Sequence, residues 1–255
     1  MTYKYSNYLE IIFQLIKKDL KIRYKNSVLG YFWAIANPIV FSLVYYFAFK
    51  IILRSDIPNY SFFLLCGIFP WIWVNGALFN GANSFRTNSF LVKRTAIPKL
   101  IIPFSVVLHE AVHFLFALPI LLIFMLITNE SFYLSYIFFI PLLIFFQTLF
   151  LYSITITLAI INVFIQDIEY IVSLGLSILF FLTPIIYPIS LVPDKYLVIY
   201  NLNPLVHLIS CWKSVFFYGE LPLSSFIYII LFSMLGFLIS FFFYKKFKNL
   251  ISDLL

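Results

Sequence analysis

The run IIPFSVVLHEAVHFLFALPILLIFMLI, residues 101–127, decides the class of fold. It holds one carboxylate and neither lysine nor arginine, and its polar residues are concentrated in the short motif HEAVH at 109–113. A helix rises about 1.5 Å per residue, so a helix of this run is longer than the roughly 30 Å of a bilayer's hydrocarbon core. We therefore predict that these residues cross a membrane.

The composition of the whole chain supports the same class. Of its 255 residues, 63% are hydrophobic and only 11% are charged, with a mean hydropathy of +1.02. A soluble domain of this size needs far more charge on its surface, and continuous apolar runs do not alternate as the strands of a membrane barrel do. We predict an all-α polytopic membrane protein.

Charge and cysteine content narrow the function classes. A net charge of +7 in such a chain is typical of membrane topology and of contact with lipids, and we expect no nucleic-acid partner. The two cysteines, Cys66 and Cys211, are far apart in the sequence. They indicate neither a disulfide framework nor a metal knuckle.

Six runs are apolar and long enough to be membrane spans. They are residues 28–53, 60–83, 101–127, 133–164, 170–187 and 223–244. If the N-terminus lies inside, only four of the 17 lysines and arginines fall on the outer side, namely Lys50, Arg54, Lys195 and Lys213. The excess of basic residues on the inner side predicts that both termini lie in the cytoplasm.

The first 27 residues predict an amphipathic helix. Apolar residues recur at helical spacing from Leu9 to Tyr24, and lysines between Lys17 and Lys25 lie on the opposite side. A helix with a cationic face and an apolar face is typical of the membrane interface. A solvated helix packed on a partner protein is the alternative.

Two connections between spans have patterns of their own. Residues 84–99 carry four basic residues and end at Ile97-Pro98. This pattern suits either a short helix that contacts a soluble partner or an ordinary basic loop. Residues 188–222 mix short apolar pieces with four prolines, which predicts a re-entrant or interfacial hairpin on the outer side, or else a surface loop with aromatic residues. No internal repeat divides the chain, and we predict one domain, 1–255.

The motif HEAVH allows two interpretations. His109 and His113 with Glu110 between them match the signature of a zinc protease. A zinc site needs a third protein ligand, however, and no other span carries an aspartate near its middle. We therefore predict a polar cluster that faces the bundle interior or a polar cavity, with no metal and no catalytic role.

The sequence contains no GxxxxGK[ST] or GxGxxG motif and no serine-centred nucleophile elbow. We therefore expect a transport protein driven by a separate motor, and not an enzyme. Aromatic rings can stack on the C–H faces of sugars, so an aromatic path suits a sugar chain. The candidates are Trp33, Tyr45, Tyr46, Trp71 and Trp73. A lipid-facing aromatic belt is the alternative for most of them.

Four stretches resemble the ABC-2-type permeases that export polysaccharides such as O-antigen, capsule and teichoic acid. KKDLKIRYKNSVLGYFWAIANP (17–38) is similar to the entry into the first span of that family, and LVKRTAIPKLIIP (91–103) to its coupling helix. NVFIQDIEYIV (162–172) resembles the inner turn between spans four and five. FFLTPIIYPISLVPDKY with YNLNPLVHLI (180–209) resembles the fifth span and the outer gate hairpin.

The resemblance implies a homodimer in a bacterial inner membrane, above two ATPase subunits that bind ATP and magnesium. The coupling segment would dock on the ATPase through Arg86, Lys93, Arg94 and Pro98. The substrate would be a glycan linked to a polyprenyl pyrophosphate. The candidates for contacts with its pyrophosphate are Lys17, Lys21, Arg23 and Lys25, because cations at the interface attract phosphate.

Rival functions remain open from the sequence. An ABC-2 exporter of a small molecule or lipid is the nearest alternative, and a zinc protease is the most remote. An ion-coupled transporter would need paired broken helices and carboxylates at the membrane midplane, and only Glu110 qualifies.

Overall fold

The computed structural model describes residues 6–24, 30, 32–52, 57–94 and 97–255. Within these ranges every regular element is a helix, which confirms the all-α part of the predicted fold class and is consistent with a polytopic membrane protein. The α-helices are α1 (Ser6–Tyr24), α2 (Phe32–Tyr46), α3 (Tyr60–Ala82), α4 (Ser84–Thr87), α5 (Ser89–Arg94), α6 (Ile101–Ile127), α7 (Tyr136–Phe164), α8 (Ile168–Phe181), α9 (Asp194–Tyr200), α10 (Pro204–Tyr218), α11 (Leu223–Phe247) and α12 (Leu250–Leu254). A π-helical stretch, Phe47–Ile52, continues α2, and a 3-10 turn, Ile189–Leu191, precedes α9.

Helix α3 is the centre of the bundle. Its most apolar 18-residue window is 78% buried, whereas the corresponding window of α11 is 22% buried. Helix α3 contacts α2, α6, α7, α8 and α10, while α11 packs on α7 and α10 and exposes Leu238 and Phe241. Apolar surface that finds no protein partner is available to lipid. The core therefore forms around α3, and α11 lies at the periphery.

Small residues set the closest helix approaches. An added Cβ at Gly81 of α3 would overlap the Thr155 methyl on α7, and one at Gly236 of α11 would overlap the Ser153 hydroxyl. Membrane helices associate through such close backbone approaches, because no water-driven hydrophobic effect holds them together.

Four of the six predicted spans are confirmed as helices long and apolar enough to cross a membrane, namely α3, α6, α7 and α11. The predicted first span coincides with α2 and its π-helical continuation. The predicted fifth span was too long. Helix α8 has 14 residues, about 21 Å, and ends at Phe181. Proline lacks an amide N–H and disfavours helical geometry in the preceding residue, so Thr183-Pro184 prevents the helix from continuing.

The region predicted as an outer hairpin, 188–222, is largely helical. Helix α9 buries none of its residues and exposes Val198 and Ile199 at 76% and 70%. Helix α10 is buried instead, and its Cys211 and Trp212 have no exposed surface. Asn203 caps α10 by accepting the Leu205 amide at 3.0 Å. Helix α9 therefore exposes an apolar surface, whereas helix α10 packs in the core.

A buried lysine of α10 forms hydrogen bonds to the bend that follows α8. Lys213 Nζ donates to the carbonyls of Pro184 at 2.6 Å and Ile185 at 2.9 Å, and lies 3.3 Å from the centroid of the Phe63 ring. The side chain is 9% exposed. A buried ammonium requires such partners, because desolvation of an unpaired charge is costly.

The predicted coupling segment, 84–99, contains two short helices, α4 and α5. Phe85 and Val92 are buried against Ile160 of α7 and Ile251 of α12. Lys99 donates to the carbonyl of Lys248 at 2.6 Å, and partial burial lowers the pKa of its ammonium. This segment is therefore packed on the end of the bundle that also carries the C-terminal helix.

Candidate functional site

A cavity of about 840 Å³ lies beside α1, α3, α4 and α6, and we call it the polar cavity. Its lining residues are Lys18, Asp19, Ile22, Arg23, Asn80, Asn83, Ser84, Arg86, Thr87, Asn88, Val106, His109, Glu110 and Glu169. Three basic side chains face three carboxylates, and amides and hydroxyls make up most of the remainder. The side chains that line the cavity are therefore mostly polar in type and close to charge balance.

A hydrogen-bonded cluster centred on Glu110 forms one wall of the polar cavity. Arg23 Nη1 donates to Glu110 Oε1 at 2.9 Å and to Oε2 at 3.1 Å, and Asn80 Nδ2 donates to Oε1 at 2.9 Å. Glu110 is 1% exposed, whereas the Arg23 side chain is 45% exposed. A buried carboxylate without partners would be strongly destabilising, so these donors explain how Glu110 is tolerated inside α6.

Gly76 on α3 makes room for this carboxylate. A Cβ at position 76 would lie 2.6 Å from both Cδ and Oε2 of Glu110. Such a separation is far below van der Waals contact, so any larger residue would force the carboxylate away from its donors. The geometry of the cluster thus depends on residues of three helices, α1, α3 and α6.

The HEAVH motif forms part of this cluster. His109 Nδ1 lies 3.4 Å from Glu110 Oε1, and the rings of His109 and His113 meet edge to face at 4.7 Å. Candidate ligand atoms of the three residues lie within 4.8 Å of one another. However, Glu110 already accepts from Arg23 and Asn80, and a guanidinium opposes a bound cation. The geometry favours a hydrogen-bonded cluster over a metal centre, and all three side chains are buried.

A second cavity, of about 560 Å³, adjoins the first, and we call it the aromatic cavity. Its lining residues are Arg23, Ile68, Trp71, Ile72, Asn75, Gly76, Phe79, Asn80, Glu110, Leu176, Ser177, Phe180 and Phe181. Trp71 meets Phe180 edge to face, with ring centroids 5.7 Å apart. Arg23, Asn80 and Glu110 line both cavities. The hydrogen-bonded cluster therefore lies between them.

The structure places the predicted path aromatics in different environments. Trp71 lines the aromatic cavity. Trp73 is 1% exposed, stacks on Phe114 and donates to a backbone carbonyl, which is the environment of a core residue. Trp33 is 46% exposed, and Tyr46 packs at the edge of the core. The side chain of Tyr45 lies outside the described residues.

Helix α1 presents its cations in two directions. Arg23 lines both cavities, whereas Lys17 and Lys21 are exposed and line neither of the two. Lys25 lies outside the described residues. Leu9 and Phe13, four residues apart, are exposed at 73% and 62%. This apolar stripe is available to the hydrocarbon at a membrane interface.

Sequence reasoning missed the polar residues that face α1. Lys18 of α1 donates to Asn88 Oδ1 at 2.6 Å and contacts Asp19 at 3.0 Å, so it links α1 to the coupling segment. Asn80 holds Glu110. A signal was present, because an asparagine inside an apolar run is costly toward lipid and indicates an internal partner.

The predicted coupling residues lie in two different environments. Arg86 is half-buried and lines the polar cavity, while Lys93 and Pro98 are exposed. Phe90 next to them is 63% exposed. The side chain of Arg94 lies outside the described residues. The exposed members thus form a surface beside the packed ones.

Comparison with known proteins agrees with this architecture. Residues 10–217 match the model of the family described as ABC-2 type transporter. The chain is 38% identical over 221 residues to an O-antigen export system permease protein of Klebsiella pneumoniae, a match covering 87% of this chain and 85% of the relative. It is 32% identical over 217 residues to one of Myxococcus xanthus, covering 84% and 83%. The long apolar helices and the family match lead to one conclusion: this chain belongs to the ABC-2 type transporter family.

Proposed function

We propose that this protein is the transmembrane subunit of an ABC exporter that moves a lipid-linked, O-antigen-like polysaccharide across the bacterial inner membrane. The relatives' names support the cargo class. The observation that carries the proposal is the pair of adjoining cavities, one rich in amides and hydroxyls and the other lined by Trp71 and Phe180. Hydroxyl groups of a sugar suit the first, and its C–H faces suit the second.

The proposal includes an external source of energy. The 255 residues contain no phosphate-binding loop for ATP. We propose that two copies of a separate ATPase subunit bind ATP and magnesium below a permease homodimer. Phe90, Lys93 and Pro98 supply an exposed apolar and basic surface for that contact. The same segment packs on the bundle through Phe85 and Val92, so movement there would be transmitted to the bundle.

Orientation follows from the basic residues. Lys93, Lys99 and Lys245 belong to the end of the bundle that carries the coupling segment and α12. We propose that this end faces the cytoplasm, as the positive-inside rule requires. The proposed topology retains six membrane-crossing regions, with α2 and α8 as the two that are shorter or irregular. It places the 188–222 region on the outer side, with α10 packed into the core.

The anionic end of the cargo is assigned to α1. Lys17 and Lys21 are exposed, and Arg23 borders both cavities. We propose that the exposed lysines attract the pyrophosphate and surrounding lipid phosphates at the interface. Arg23 is the one of the three placed where cargo would enter. Since the cavity lining is close to charge balance, the exposed lysines supply the unbalanced positive charge.

Coupling can be tested with the permease and its ATPase co-expressed in cells that lack the native permease. Phe90→Ala combined with Lys93→Glu should abolish surface polysaccharide and co-purification of the ATPase, because both substituted side chains are exposed. The double variant should still accumulate in the membrane. Lys195→Glu, an exposed charge reversal on α9, should change neither readout. Full export by the double variant would exclude this docking surface, and no export by the wild-type complex would exclude the proposed function.

A further inference from the structure

The boundary between the two cavities consists of a few side chains. Arg23, Asn80 and Glu110 are the residues common to both linings, and they are joined by three hydrogen bonds of 2.9 to 3.1 Å. We propose that these three residues form a removable septum, the inner gate of the passage. The inference rests on the proposed export function, because it assumes that the two cavities are successive parts of one route.

The septum is unequally anchored. Glu110 is fully buried, and Gly76 leaves the space its carboxylate needs, so that group is fixed between α3 and α6. Arg23 is 45% exposed and reaches the carboxylate from α1 through Nη1 alone. A half-exposed arginine can be withdrawn into water at little desolvation cost, whereas moving the glutamate would break the packing of two core helices. Arg23 is therefore the moving part.

Helix α1 also provides a connection to the coupling segment. Lys18, five residues before Arg23, donates to Asn88 between α4 and α5 at 2.6 Å. A displacement of the coupling segment would thus pull on the helix that carries Arg23. When Arg23 leaves, Glu110 keeps the Asn80 and His109 contacts, at 2.9 and 3.4 Å. The remaining donors hold the carboxylate while the passage is open.

Residual polar capacity supports a passage through this point. Ser84 and His109 line the polar cavity at 1% and 6% exposure. Ser84 Oγ and His109 Nε2 have no hydrogen-bond partner among the described residues. Buried polar atoms normally have partners, so these two atoms would become available to a polar cargo once movement of the septum exposes them. They lie on the polar side of the septum, where cargo would wait before the gate opens.

The septum can be tested by thiol accessibility in the permease–ATPase complex, in inside-out vesicles. Ser177→Cys places a thiol on the far side of the septum, since Ser177 is exposed and lines the aromatic cavity but not the polar one. A charged, membrane-impermeant methanethiosulfonate is added to the cytoplasmic face. Labelling should be slow in this parent and at least tenfold faster after Arg23→Gln, or after Gly76→Ala, which displaces Glu110 without changing charge. Cys66 and Cys211 are fully buried, and the chain without Ser177→Cys measures their background.

Two matched controls separate gating from loosening. Lys21→Gln removes an exposed cation of the same helix, and Gly81→Ala overpacks α3 at a different place, against Thr155. Neither should raise the labelling rate by more than twofold. Unchanged labelling in Arg23→Gln, or an equal rise in both controls, would overturn the septum. If Gly76→Ala does not assemble, Arg23→Gln decides alone. If Arg23→Gln is labelled fast but the wild-type complex exports no polysaccharide, the septum is supported and the proposed export function is rejected.

Discussion

The close contact between α3 and α7 gives a prediction in which two opposing effects can be weighed. Gly81→Ala should gain about 0.8–1.0 kcal/mol of helix propensity. Against this, the new Cβ would overlap the Thr155 methyl and lie 3.2 Å from its Oγ1 and 3.3 Å from its Cβ. Overpacking of a well-packed core costs about 1–3 kcal/mol. We therefore expect a net loss of up to about 2 kcal/mol.

The steric explanation can be separated from other causes by a second substitution. Thr155→Ser removes the overlapped methyl and keeps the hydroxyl, which donates to the Ala77 carbonyl at 3.4 Å. Alone it should cost about 1 kcal/mol, because a buried methyl is lost. Combined with Gly81→Ala, the added Cβ refills that space, so stability should return to near the wild-type value. The expected coupling energy is about 1–3 kcal/mol.

The molecule supplies its own probe for the measurement. Cys66 and Cys211 are free and fully buried, so a thiol-reactive fluorescent dye reports unfolding in detergent or nanodiscs. For a chain of this size about 1 kcal/mol corresponds to a melting shift of roughly 2–4 °C. Gly81→Ala should melt a few degrees lower, and the double variant should recover. Additive losses in the double variant would refute the explanation, because they would show that the two side chains do not compete for space.

Two further predictions concern the buried lysine and the aromatic cavity. Lys213→Met should lower the melting temperature in the same dye assay. The substitution leaves the carbonyls of Pro184 and Ile185 without their donor, at a cost of about 1–3 kcal/mol each. Equal stability of the variant and the wild type would show that the burial cost of the ammonium offsets its hydrogen bonds. Trp71→Ala should reduce polysaccharide export several-fold while Trp71→Phe retains most of it, measured as surface polysaccharide at matched expression, and equal export by both would remove Trp71 from the path.

The sequence predicted the helical class and six spans, and four of the six are confirmed, because continuous apolar runs longer than a bilayer leave few alternatives. It failed at α8, where the apolar run continues past the end of the helix. Hydropathy does not distinguish residues 182–187 from a helix, although Pro184 and Pro188 were visible. The deciding interactions are tertiary, since Lys213 binds the freed carbonyls from α10. A pattern confined to one segment cannot show that a bend has a distant donor.

The candidate site was also predictable only in part. The sequence indicates that Glu110 is internal, whereas the packing of the helices decides which residue is its partner. A carboxylate at position 110 inside an apolar run had to be internal and partnered, and the sequence predicted that much. Its partner could not be chosen, because α1 offers several cations at similar spacing and Arg23 is 87 residues away. Gly76 and Asn80 are what select the arginine. The glycine admits the carboxylate to a position where Asn80 fixes one oxygen, and Arg23 at the end of α1 reaches both oxygens through a single nitrogen, Nη1. Because one cationic nitrogen makes both contacts, Arg23→Lys should keep labelling slow in the accessibility assay, unlike Arg23→Gln. Labelling of the lysine variant as fast as that of Arg23→Gln would mean that a single cationic nitrogen does not close the boundary, and that the longer arginine side chain is required.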